Sequence, residues 1–155
     1  MRLSVRVIGC FVVVLALAIS LNVQGAGEQV TVYKLASCGC CKGWVEHLKQ
    51  NGFQVTVHDV PNTAPYRQKY GIPDSLQSCH TAIVGNYVIE GHVPASEIKR
   101  MLKEKAAAKG LAVPGMPLGS PGMEALKPSR RDAYSVVLVT PSGKTSVYRA
   151  YPASE

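Results

Sequence analysis

The chain has 155 residues, 46% of them hydrophobic and 17% charged, with a formal net charge of +7. That composition is ordinary for a folded protein, and the length suits one domain with its own core rather than two. The positive charge is scattered. Its densest patch, Lys99 to Lys109, carries no interleaved aromatic residues and reads as a solvated helix face, which argues against a nucleic-acid partner.

At the N-terminus, Arg2 and Arg6 precede a charge-free apolar run from Val7 to Val23, followed by Gln24, Gly25 and Ala26. A basic start, an apolar stretch and small residues read as a secretory signal peptide over residues 1–26, cut near Gly25 or Ala26. The rival reading is a single membrane anchor, because the run approaches spanning length. Cys10 stands too early for a lipid-attachment cysteine and would leave with the signal. Cleavage predicts an exported protein with no stable membrane association.

The main body of the domain, carrying the metal-binding residues, is expected over residues 27–110. Val30 to Leu35 alternates and is rich in strand formers. Lys42 to Gln50 repeats Trp44, Val45 and Leu48 at helical spacing, with Gly52 at the stop. Phe53, Val55, Val57 and Val60 mark a second strand, and Tyr66 to Tyr70 a short helix closed by Gly71-Ile72-Pro73. Thr81 to Val84 and Tyr87 to Glu90 flank Gly85-Asn86, a pair suited to a tight hairpin. A helix opening at Pro94 and running to about Ala108 places Ile98, Met101 and Leu102 on one face. Residues 111–155 form a Pro/Gly/Met loop and a C-terminal hairpin, Tyr134 to Thr140 and Lys144 to Tyr151, packed on the same domain because it is too small to stand alone. The fold class is therefore α/β. The order β-α-β-α-β-β-α, with a cysteine loop leading into the first helix, resembles the thioredoxin fold with a C-terminal β-hairpin appendage.

The stretch "ASCGCCKGW" places Cys38, Cys40 and Cys41 within four positions, and Cys79 stands apart next to His80. Three thiols crowded at one spot cannot staple distant loops, so the cluster points to chemistry rather than scaffolding. A cysteine at a helix N-terminus feels the positive end of the helix dipole, which favours thiolate. Thiolate both attacks disulfides and binds metal. Cys38 and Cys41 have the C-x-x-C spacing of a thiol–disulfide oxidoreductase. Thioredoxin-type enzymes, however, keep a proline before the third strand, and here that place is held by Ser78-Cys79-His80. A fourth sulfur facing the pair would trap a disulfide and would complete a metal site.

Four sulfurs and a nitrogen make a soft donor set, which suits Cu(I) or zinc and excludes hard cations. A zinc site would close all four thiolates tetrahedrally. The tight C-x-C-C turn suits thiolates bridging several metals, which favours Cu(I) over zinc. Met116 and Met123 lie in the Pro/Gly-rich loop and are candidate thioether ligands. Of the histidines, only His80 is placed at the site. His47, about 10 Å along the helix from Cys40, is expected on the surface, His58 on a polar strand face, and nothing in the sequence argues for His92. Trp44, one turn past Cys40 and Cys41, reads as a packing residue that could shield the site from water.

"YKLASCGCCKGWVEHLKQNGF", "SLQSCHTAIVGNYVIEGHVPASEI" and "GLAVPGMPLGSPGME" together resemble the CopG-type copper-resistance proteins. The resemblance implies a thioredoxin-like fold carrying copper on Cys38, Cys40, Cys41, Cys79 and His80. It also implies a role in periplasmic copper handling, with interconversion of Cu(I) and Cu(II), and partners that donate or accept copper.

Overall fold

The computed structural model describes residues 27–124 and 130–154; the segment read as a signal peptide lies outside them. In chain order the elements are β1 (Gln29–Lys34), α1 (Gly39–Gln50), β2 (Gln54–Asp59), α2 (Ala64–Lys69), a 3-10 turn at Asp74–Leu76, β3 (His80–Val84) and β4 (Tyr87–Glu90). There follow α3 (Ala95–Glu104), β5 (Gly110–Ala112), β6 (Tyr134–Val139) and β7 (Thr145–Tyr151). All seven strands join in one sheet, in the order β2-β1-β3-β4-β5-β6-β7. β1 pairs parallel with β2 and antiparallel with β3, and β3 turns into β4 at Gly85-Asn86. This mixed α/β arrangement is thioredoxin-like, as the order of elements predicts. No helix among the described residues is long and apolar enough to cross a membrane.

Strand alternation sorts the core onto two faces. Val30 and Val32 of β1, Ile89 of β4, Leu111 of β5 and Val136 of β6 pack beneath α1 and α3, against Trp44, Val45, Leu48, Ile98 and Met101. Their neighbours Val88, Ala112 and Val139 turn to the other face, where Ile72 and Leu76 cover them. Trp44 is fully buried, and its one polar atom is satisfied because Nε1–H donates to the Val93 carbonyl at 2.9 Å. Burying a side chain of this class stabilises the fold by about 1.5–3 kcal/mol. Trp44 thereby seats the first turn of α1 against the segment that follows β4.

Element boundaries differ most from the expected ones at three places. α1 begins at Gly39 rather than Lys42, because Cys38 serves as its N-cap, its sulfur accepting the Cys41 N–H at 3.3 Å. Cys40 and Cys41 therefore lie inside the first helical turn. α3 ends at Glu104 rather than near Ala108, since Lys105 adopts a left-handed φ of 48° and closes the helix. The residues after Lys109, expected to be loop, form β5, a three-residue strand paired parallel with β4 and antiparallel with β6. Through β5 the C-terminal hairpin extends the main sheet, an attachment that the sequence left open.

Candidate metal centre

Three segments converge where α1 begins: the first helical turn, the residues just before β3, and the Pro/Gly loop after β5. The segment before β3 is held from below. The Ser78 N–H donates to Glu90 Oε1 at 2.8 Å, and Thr81 Oγ1 donates to Glu90 Oε2 at 2.7 Å. Glu90 is fully buried, with the Arg67 guanidinium 3.9 Å away. The Pro/Gly loop is held from the side: Ser78 Oγ donates to the Gly115 carbonyl at 2.5 Å, and Gly122 rests on the backbone of Cys40, Gly43 and Trp44.

These anchors bring four cysteine sulfurs within 4.8 Å of one another. Cys40 Sγ stands 3.5 Å from Cys38 Sγ, 3.9 Å from Cys79 Sγ and 3.9 Å from Met116 Sδ. Cys41 is fully buried, and its sulfur lies 3.6 Å from the Cys79 carbonyl oxygen. Cys38 and Cys41 are joined as a disulfide, while Cys40 and Cys79 are free thiols. A shallow cleft of about 250 Å³, lined by Gln77, Ser78, Cys79, Gly115 and Met116, opens the cluster to solvent.

On the inner side of Cys79 stand two imidazoles. His92 Nε2 lies 3.0 Å and His80 Nδ1 3.4 Å from Cys79 Sγ. Both rings are fully buried, and the Trp44 indole packs over His80 with ring centroids 4.3 Å apart. Burial depresses the pKa of both histidines, and the neighbouring His92 lowers that of His80 further. Burial, and next the nearby Cys40 sulfur, pushes the Cys79 thiol up to about 12. Without metal the group is thus neutral: two imidazoles around a protonated thiol.

A profile for the family described as "Protein of unknown function, DUF411" matches residues 76–123. Two solved structures, described as "Copper resistance protein copG" Forms 1 and 2, share 48% and 47% sequence identity with this chain, at TM-scores of 0.75 and 0.77. The matches cover 80% and 81% of this chain and 97% and 99% of theirs. This chain belongs to the CopG family. A search of the curated proteins returned no match.

Of the residues singled out from the sequence of this CopG-family chain, Cys38, Cys40, Cys41, Cys79, His80 and Met116 meet at one place. Met123 is 5% exposed and sits one residue past the Gly122 contact; among the described residues, Met116 is the methionine whose sulfur meets a cysteine. His58 is exposed and stacks on Tyr33, on the polar face expected of it. His47 corrects its expected surface position: it is half-buried, and its Nε2 accepts the Ala95 N–H at the start of α3, at 3.0 Å. His92 is the residue that sequence reasoning missed. The signal was present, because a two-residue turn at Gly85-Asn86 sets Thr81 opposite Glu90. Continuing that register past the strand ends carries Cys79 to His92.

Proposed function

We propose that this chain is an exported, periplasmic copper-binding protein that holds Cu(I) on its cysteine sulfurs, as part of copper resistance or handling. The observation that carries the reading is the convergence of four cysteine sulfurs within 4.8 Å of one another, with the Met116 thioether 3.9 Å from Cys40 Sγ. A thioether beside thiolates suits Cu(I) and adds little for zinc. The relatives described as copper resistance proteins point the same way. Cys38, Cys40, Cys41 and Cys79 are the sulfur ligands, Met116 the outer one at the solvent side, and His80 the inner partner of Cys79.

Cys38 and Cys41 cannot ligate as thiolates while bonded to each other. Loading the full cluster first requires a dithiol reductant, which opens that bond by thiol–disulfide exchange and is itself oxidised to a disulfide; the two thiols released then lose their protons as metal binds. The half-buried cleft at Met116 is where a copper donor or acceptor protein would reach the metal.

The test is titration of the reduced protein with Cu(I) against a colorimetric chelator. The expected result is more than one Cu(I) per chain, with capacity reduced in Cys79→Ser. Saturation below one equivalent, or an unchanged capacity in Cys79→Ser, refutes the reading.

One observation favours a second reading. The Cys38–Cys41 disulfide sits at the N-terminus of α1, the position of an exchange-active pair. As a thiol–disulfide oxidoreductase the protein would reduce insulin without metal and would keep that activity after loss of Cys79 and His80. Activity that depends on Cys79, or none at all, excludes it.

A further inference from the structure

We propose that the exposed rim of the sulfur cluster, with Leu35 at one end, Met116 at the other and Lys42 beside it, is a docking surface for a protein that delivers or removes Cu(I) and presents an apolar, acidic collar around its own metal. The inference rests on the copper reading above and adds the surface and the chemistry of the partner that fits it.

The first observation is where the exposed apolar side chains lie. Among the described residues the exposed large hydrophobic side chains are Leu35, Val57, Met116 and Val147. Val57 and Val147 stand on β2 and β7, the two edge strands of the sheet. Leu35 and Met116 flank the sulfurs instead. The Cys38 N–H donates to the Leu35 carbonyl at 3.0 Å, so Leu35, Ala36 and Ser37 form one turn with Cys38 and are exposed beside it. From Cys38 Sγ the row runs 3.5 Å to Cys40 Sγ and a further 3.9 Å to Met116 Sδ. Met116 is 52% exposed, and Pro114 and Gly115 before it are exposed as well. Single exposed apolar side chains are ordinary, but a pair at the two ends of one row of metal donors marks a contact surface.

The second observation is charge. The segments that form the rim, residues 35–43, 77–79 and 113–117, carry a single charged residue, Lys42. It lies four residues after Cys38, on the same side of α1. It is exposed and has no ion pair among the described residues. The acid one turn further on, Glu46, pairs with Lys49 at 2.8 Å instead. A charge-poor centre with a cation at its margin has the make-up of a protein interface. The whole chain is basic, with 17 Lys and Arg against 10 acidic residues, so an acidic partner is drawn to it and a basic one repelled.

The third observation is access. On the inner side the Trp44 ring packs over His80, and His92 Nδ1 donates to the Pro121 carbonyl at 2.8 Å. Those contacts close that side, and metal passes across the rim. The rim is small, which suits a transient contact, and a carrier has to leave once its ion is transferred. Cu(I) crosses by ligand exchange: a bond from the ion to a donor of the partner breaks as one to Met116 Sδ or Cys40 Sγ forms. The Cys40 proton leaves for solvent, and no electron is transferred.

The experiment times the loading of reduced protein from three Cu(I) donors: the small acetonitrile complex, a methionine-rich peptide flanked by leucine and aspartate, and the same peptide with lysine for aspartate. Wild type is compared with Lys42→Glu, Leu35→Ser and the remote control Val147→Ser, and circular dichroism reports the fold. Wild type is expected to load about fivefold faster from the aspartate peptide than from the lysine one, the effect of one close charge pair in water. High salt should shrink that preference, and Lys42→Glu should reverse it. Leu35→Ser is expected to slow loading from both peptides about fivefold, with Val147→Ser unchanged and all variants reaching the same capacity from the acetonitrile complex. Equal rates from the two peptides in wild type, a preference that Lys42→Glu leaves in place, or unchanged loading in Leu35→Ser overturns the docking surface and leaves the copper reading standing. A wild type that dimerises on loading, with the dimer lost in Leu35→Ser, assigns the rim to a second copy and also overturns it. A wild type that takes no copper from the acetonitrile complex removes the copper reading, and the docking surface with it.

Discussion

Gly122 is the point where the Pro/Gly loop rests on α1, and Gly122→Ala tests whether that contact holds the centre together. Its φ of +87° lies in the left-handed region, where an L side chain costs about 1–2 kcal/mol. An added Cβ would sit 2.6 Å from both the Cys40 carbonyl oxygen and the Trp44 nitrogen. Those are backbone atoms of the first helical turn and cannot yield without unwinding it. Overpacking of this kind costs about 1–3 kcal/mol, so a loop that stays seated loses about 2–5 kcal/mol of stability in all. A typical domain has about 5–15 kcal/mol; the variant folds but is clearly weakened. If the loop lifts instead, less stability is lost, but the Pro121 carbonyl leaves His92 Nδ1 and copper loading falls. The assay is urea unfolding followed through Trp44, the chain's one tryptophan, with copper capacity measured alongside. Gly43→Ala sharpens the test. On a free helix surface it would gain about 1 kcal/mol of propensity, yet here its Cβ would lie 2.9 Å from the Gly122 Cα, and the gain is expected to vanish. A Gly122→Ala protein within about 0.5 kcal/mol of wild type with full copper capacity, or a Gly43→Ala protein showing the whole helix gain, would refute a loop pressed onto the helix.

His47→Ala removes the acceptor for the Ala95 N–H and is expected to cost about 1 kcal/mol near neutral pH, as the loss of a helix N-terminal partner does. Burial lowers the His47 pKa in the fold, so its contribution is complete above the unfolded value of about 6.5 and is lost as pH falls through the folded pKa. Urea midpoints of wild type and His47→Ala should therefore converge below that pH, and a gap that stays constant counts against the bond. Glu90→Ala leaves the Ser78 N–H and the buried Arg67 short of a partner and is expected to cost about 3–5 kcal/mol; Arg67 keeps its ion pair with Asp74, which favours the lower end of that range. Glu90→Gln should cost less. In Glu90→Ala the Cys79 thiol should react faster with an alkylating reagent, because the segment carrying it is no longer pinned, whereas Glu90→Gln keeps an acceptor for the Ser78 N–H and should change the rate less; an unchanged rate in Glu90→Ala would show that Glu90 does not position it.

The pattern of alternating and helical apolar residues determined the order of elements from β1 through α3, because period in sequence translates directly into which face a side chain takes. It also brought out the Cys38-x-Cys40-Cys41 run and the Cys79-His80 pair, since thiols so crowded have few structural uses. What only the tertiary structure decided depends on contacts between distant segments. β5 is three residues long, too short to show a period, and becomes a strand because β4 and β6 pair with it on either side. His92 has nothing local to mark it; it gains a role only when the β3–β4 register lays it beside Cys79 and Pro121 fixes its ring. Met116 and Met123 look alike in sequence, yet the fold of one loop carries the first to the cysteine sulfurs and buries the second. Composition and spacing name the donors, and the geometry of sheet and loop selects which of them meet.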